Sequence, residues 1–125
     1  LADPEDKLEQ VTVVDDQLGR LTFTRDMAAA IFHVLGTHAP YGTYNCTGSG
    51  SVKSWADIAR AVFEAANGNG GRVVPMSTAD YYASAEGPVA PRPVHSALDL
   101  SRLKSVGFHM PDWEHELITY IHMNL

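Results

Sequence analysis

The sequence predicts a small α/β domain, with short strands packed against three to four helices. Three observations point there. Val11-Thr12-Val13-Val14 is a β-branched run that ends in polar residues, as a strand entering a turn does. Met27, Ala30, Ile31, Val34 and Leu35 recur at i, i+3, i+4, i+7 and i+8, the spacing of one helix face. With 125 residues, 45% of them apolar and 19% charged, the chain has the size and composition of one globular core rather than of a disordered or fibrous segment.

The elements follow in chain order. Leu1 to Gln10 is charged and carries Pro4, which reads as a linker or frayed end and leaves 11–125 as the domain. After the first strand, Leu18-Gly19-Arg20 reads as a turn and Leu21 to Phe23 as a second strand. Thr24 is placed to cap the helix that follows, Asp26 complements its dipole, and Gly36 with Pro40 stops it. Tyr41 to Thr47 reads as turn then strand, and Gly48 to Ser51 as a loop.

Ser54 opens the next helix, with Asp57 three residues on as a capping partner. Trp55, Ile58, Ala61, Val62 and Ala65 share its apolar face, and Asn67 to Gly71 ends it. Arg72 to Pro75 is a short strand that the proline ends or places at a sheet edge. Met76 to Pro93 reads as a loop, and a loop of that length is more often functional or mobile than idle. Ser101 to Ser105 gives a short helix stopped at Gly107, and Asp112 caps a last one bearing Trp113, Leu117, Tyr120 and Ile121 at helical spacing. Core packing is the default reading for both Trp55 and Trp113.

The totals exclude several function classes. A net charge of −6 argues against a general nucleic-acid surface, which needs clustered cations, but leaves room for one small anion held by one or two arginines. No stretch approaches the roughly 18 apolar residues of a membrane span, so no membrane partner is expected. Cys46 is the one cysteine, which rules out an intramolecular disulfide and suits a reducing cytoplasm. The first residues hold neither a basic nor an apolar leader segment, so no signal peptide is expected.

The chemistry-bearing motifs each admit a plainer alternative. Asp15-Asp16-Gln17 concentrates polar groups at a strand end, but adjacent strand residues face opposite ways, so at most one aspartate works with Gln17. A simple polar turn accounts for the same residues. Gly48-Ser49-Gly50-Ser51-Val52-Lys53 stands between a strand and a helix, where a dinucleotide fingerprint would stand. Position 53 is lysine rather than the third glycine, which favours a tight turn beside a cleft. The six histidines show no zinc-ligand spacing, with His95 set apart only by its neighbours. Pro91-Arg92-Pro93 stiffens the backbone around a guanidinium suited to a phosphate or carboxylate, although a surface arginine in a proline turn looks the same.

Taken as an ordered series, these residues resemble a family. Val13-Val14-Asp15-Asp16-Gln17-x-Gly19-x-x-Thr22, then Asp26-Met27-Ala28, then Gly42-x-Tyr44 leading to Ser49-Gly50 and Trp55, then Arg92-Pro93-x-x-Ser96-x-Leu98 and Met110-Pro111-Asp112-Trp113, are similar to the C-terminal part of the dTDP-4-dehydrorhamnose reductases. The likeness runs from about Val11 to the end. It implies the C-terminal substrate-binding domain of an extended short-chain dehydrogenase/reductase, with the Rossmann half absent from this chain. The family reduces the C4 ketone of dTDP-4-dehydro-L-rhamnose with NADPH or NADH, and some members are fused to the 3,5-epimerase that precedes them.

The family's Tyr-x-x-x-Lys pair has no counterpart here. Tyr41, Tyr44, Tyr81, Tyr82 and Tyr120 are followed four residues on by Asn45, Gly48, Ala85, Glu86 and Asn124. The resemblance therefore implies no catalytic residue in this chain and a nicotinamide site in the missing half. What it carries over is binding of the dTDP-sugar: Arg92 and Ser96 from the Arg-Pro-x-x-Ser motif, and Gln17, Arg20 and Thr22 from the strand end. The family's Gly-x-Pro-Thr reads Gly19-Arg20-Leu21-Thr22 here, which makes Arg20 a second candidate for the diphosphate.

The implied partners are the N-terminal Rossmann domain of the same parent and, in a homodimer, a second copy. A divalent ion such as Mg2+ is proposed for some members, but Glu114 and Glu116 offer no ligand spacing for one. Two other readings stand beside the reductase: a reductase-like regulatory subunit without catalysis, and an extended reductase or epimerase for another nucleotide sugar.

Overall fold

A computed structural model describes residues 10–84 and 86–124. The expected linker at 1–10 lies outside them, save for an exposed Gln10. The fold is α/β, as expected. Strand β1 (Val11–Val14) runs parallel to β4 (Val73–Met76), with Val11 opposite Val73 and Val14 opposite Met76. A parallel pair needs a long crossover, and here it carries helices α1 (Thr24–Gly36) and α2 (Trp55–Asn67). Pro75 is tolerated inside β4 because, among the described residues, the strand pairs with β1 alone and is an edge there.

The second strand departs from expectation. Leu18–Gly19 forms β2, antiparallel to β3 (Lys53–Ser54), where the sequence suggested a turn. Leu21 to Phe23 is irregular. Leu21 and Phe23 are instead drawn against the α2 core, so their apolar alternation reflects packing rather than a ladder. Tyr41 to Thr47 is likewise not a strand; Tyr44 and Cys46 pack beside Ala30, Leu103 and Met110.

Local capping chemistry explains the helix starts. Ser54 accepts a hydrogen bond from the Asp57 amide at 3.1 Å and donates to its carboxylate at 2.9 Å, as its spacing predicts. The same Ser-x-x-Asp pattern at Ser77 and Asp80, at 3.0 and 2.7 Å, starts a one-turn helix α3 (Thr78–Tyr81) inside the stretch expected to be a plain loop. With α4 (Ser101–Ser105) and α5 (Trp113–Asn124) the described helices number five, one more than the upper expectation. Asp112 caps α5 through the Glu114 amide at 2.9 Å. Thr24 is the first helical residue of α1 rather than its cap; Phe23 holds the cap position with no side-chain bond.

The largest core cluster centres on Trp113, which has no exposed surface and packs with Ile58, Leu117 and Ile121 between α2 and α5. Its indole Nε1 donates to the Ser51 carbonyl at 2.8 Å and its amide to Ser49 at 3.1 Å, so the glycine-serine loop is sewn onto the start of α5. A second cluster joins α1 to α4, and a third sets Ala56 and Phe63 of α2 under Val73 of β4. The apolar stripe of α1 is only partly used. Ala30 is buried and Val34 half-buried, whereas Ile31 and Leu35 are 54% and 67% exposed. Among the described residues no helix is long and apolar enough to cross a membrane.

Candidate functional site

The parallel strands β1 and β4 end side by side, and the chain leaving each one builds a wall of the same cleft. Its volume is about 400 Å3, and Val14, Gln17, Trp55, Tyr81, Tyr82 and Arg92 line it. The position outside the carboxyl ends of parallel strands is where α/β folds characteristically bind ligands. Trp55 is 41% exposed at this cleft rather than committed to the core, because it is the first residue of α2 and turns outward there. Tyr81 and Tyr82 meet edge to face at 5.0 Å between ring centroids.

Gln17 is held by its neighbours. Its Nε2 donates to the Thr78 hydroxyl at 2.8 Å, and that hydroxyl in turn donates to the Asp16 carboxylate. Asp16 also accepts the Thr78 amide at 2.9 Å. The Thr78 hydroxyl and then its amide hold the Asp16 carboxyl below the usual carboxylate range. Of the two adjacent aspartates, then, Asp16 is the one tied to Gln17, and Asp15 contributes its amide to the Met76 carbonyl at 2.9 Å.

Arg92 reaches the cleft from the proline loop, which is anchored onto β2. The Leu18 amide donates to the Val94 carbonyl at 2.7 Å, and the Ser96 amide donates back to the Leu18 carbonyl at 2.8 Å. The Ser96 hydroxyl adds a further bond to the same carbonyl at 3.0 Å. His95 sits between them as the bridge partner of Leu18. Glycine at position 19 leaves room for this docking, since a Cβ there would lie 2.7 Å from the Ser96 hydroxyl and push it off the Leu18 carbonyl.

The structure thus brings Gln17 and Arg92 to one cleft and gives Ser96 the place of an anchor behind it. Arg20 and Thr22 are not among the cleft-lining residues. Arg20 directs a guanidinium nitrogen to the Leu98 carbonyl at 3.5 Å, and Thr22 is half-buried ahead of α1. Sequence reasoning passed over Thr78 and treated Trp55 as core. The Ser77-x-x-Asp80 capping pattern was the signal that could have placed Thr78 at the head of a helix.

The glycine-serine loop does not fit a dinucleotide. Gly50 adopts φ +97° against the Asp112 carboxylate, which would repel a pyrophosphate at that point. Among the described residues no three His, Cys, Asp or Glu side chains converge as a metal site. Glu114 instead receives Ser51 and, at 3.4 Å, Lys53, while Glu116 receives Arg25.

Residues 2–124 match the family described as the RmlD substrate binding domain. The chain is 34% identical over 116 residues to a dTDP-4-dehydrorhamnose reductase of Aggregatibacter actinomycetemcomitans, covering 84% of the chain and 37% of that protein. It is 30% identical over 113 residues to the spore coat polysaccharide biosynthesis protein SpsK of Bacillus subtilis, covering 90% of the chain and 37% of that protein. The crystal structure of dTDP-4-dehydrorhamnose reductase from Bacillus anthracis, in complex with NADP, superposes with a TM-score of 0.78 at 29% identity, covering 96% of this chain and 40% of that one. The chain therefore spans about two fifths of the length of these relatives and belongs to the RmlD substrate-binding-domain family.

Proposed function

We propose that this chain forms the nucleotide-sugar wall of a dTDP-4-dehydrorhamnose reductase, which reduces dTDP-4-dehydro-L-rhamnose to dTDP-L-rhamnose with NADPH or NADH. The observation that carries the reading is the meeting of Arg92, Gln17 and three aromatic side chains, Trp55, Tyr81 and Tyr82, in one cleft. A nucleoside diphosphate sugar offers a flat base, a dianionic diphosphate and a ring of hydroxyls. Aromatic faces, a guanidinium and an amide are the groups that meet them.

The nicotinamide cofactor supplies hydride when bound, and it sits in this reading on the Rossmann part of the parent protein, together with the proton donor for the new hydroxyl. The residues of this chain bind and orient. Arg92 neutralises the diphosphate, Ser96 keeps the Arg92 loop on β2, and the cleft presents the sugar to the other half. Arg20, which directs its guanidinium to the Leu98 carbonyl and does not line the cleft, is the second cation this proposal assigns to the anion, on leaving that carbonyl. The lone thiol of Cys46 is free and suits a cytoplasmic setting.

Tryptophan fluorescence tests the assignment in the reductase that carries this domain. Titration with dTDP-L-rhamnose should quench emission, and Trp55→Phe should remove most of the quench. Quenching unchanged in that variant would move the ligand away from this cleft. The 125-residue chain alone is expected to oxidise no NADPH with the keto sugar.

A further inference from the structure

The Thr78 hydroxyl stands between two partners, and its chemistry fixes the orientation of a third group. A hydroxyl carries one proton, and the Asp16 carboxylate can only accept, so that proton goes to Asp16. The Thr78 oxygen must then accept from Gln17, which obliges the amide to turn its nitrogen toward Thr78, at 2.8 Å. Among the described residues no donor reaches the Gln17 Oε1, and one Nε2 hydrogen is also left over. Gln17 lines the cleft, so the acceptor and the remaining N–H are the polar groups it has left to offer a ligand there.

We propose that Asp16 and Thr78 are positioning residues which hold Gln17 with its Oε1 acceptor available to the cleft, so that the site selects a ligand presenting an N–H or O–H donor there. The relay is directional. Asp16 also takes the Thr78 amide on its other oxygen, which keeps the carboxylate beside the hydroxyl, and a hydroxyl turned to the Gln17 amide would leave two acceptor oxygens facing each other without a proton. A bare carbonyl or a methyl group at that point of the ligand would leave the acceptor desolvated and unpaired. On the nucleotide-sugar reading, on which the choice of probe rests, the donor is either the imide N–H of the base or a hydroxyl of the sugar.

Calorimetric titration of dTDP-L-rhamnose into the reductase carrying this domain tests the relay. Thr78→Val should weaken binding about five-fold, the value of one hydrogen bond, and Thr78→Ser should restore it. In a Gln17→Ala background Thr78→Val should cost nothing further, because Thr78 acts through Gln17. Equal losses from Thr78→Val in both backgrounds, or none in either, would overturn the relay while leaving the nucleotide-sugar reading in place. Wild-type protein that fails to bind dTDP-L-rhamnose would instead overturn that reading, and the relay with it.

Two further probes identify the donor. If it is the base, N3-methylated dTDP-L-rhamnose binds wild type more weakly and no longer distinguishes wild type from Gln17→Ala. If it is the sugar, dTDP alone loses that distinction. Both probes retaining it would contradict the proposal.

Discussion

The carbonyl oxygen of Leu18 receives two hydrogen bonds from Ser96, one from the amide at 2.8 Å and one from the hydroxyl at 3.0 Å. This is how an exposed proline loop acquires a defined position next to β2 and delivers Arg92 to the cleft. Ser96→Ala removes the second bond and leaves the first. We expect a stability loss of about 1 kcal/mol or less by urea denaturation, and a larger relative effect on ligand affinity than on folding.

Gly19 and Ser96 should be energetically coupled. Gly19→Ala sets a methyl 2.7 Å from the Ser96 hydroxyl, which must swing off the Leu18 carbonyl or shift with the loop. The same substitution in a Ser96→Ala background meets less obstruction. A double-mutant cycle on stability should therefore give a coupling of about 1 kcal/mol, with the double variant better than the sum of the singles. Strict additivity would mean that the loop does not rest on Ser96.

The Asp16 link to Thr78 makes a pH prediction of definite sign. Its carboxyl is held below the usual range by the Thr78 hydroxyl first and the Thr78 amide second. A group whose folded value is depressed contributes stability above its unfolded value, about 3.9, and that contribution is lost as pH falls through the folded value. Exchange protection of the Thr78 amide should hold constant from about pH 7 to pH 5 and decline only below about pH 4. Asp16→Asn should abolish that acid dependence.

Trp113 is the residue whose loss the fold should tolerate least. It is fully buried against Ile58, Leu117 and Ile121 and ties the Ser49 to Ser51 loop to α5 through two hydrogen bonds. Trp113→Ala should cost about 3 to 5 kcal/mol by equilibrium denaturation, enough to unfold a marginal domain. Trp55→Ala, at the exposed cleft rim, should cost far less while impairing ligand binding.

What the sequence made legible was what local chemistry decides. The Ser54 cap on α2, the Asp112 cap on α5 and the β-branched strand β1 all depend on residues within a few positions of one another. The relay from Gln17 to Thr78 joins residues 61 apart in sequence, so no spacing rule announces it. The arginines show the same division. The family resemblance made both Arg20 and Arg92 candidates for the diphosphate, but the path of the chain decides that Arg92 lines the cleft and Arg20 turns to Leu98. For α1 the periodicity located the helix and not its partners, since Ile31 and Leu35 share the spacing of Ala30 yet remain exposed.

The nucleotide-sugar account stands or falls most directly on Arg92. The measurement is the affinity of the reductase carrying this domain for dTDP-L-rhamnose, with and without Arg92→Ala, at fixed salt. Loss of charge-assisted hydrogen bonds worth about 1.5 to 3 kcal/mol predicts binding weaker by about 10- to 150-fold, with Arg92→Lys recovering only part of it. Unchanged affinity in Arg92→Ala would contradict the account, because the cation that meets the diphosphate in this cleft would then be dispensable.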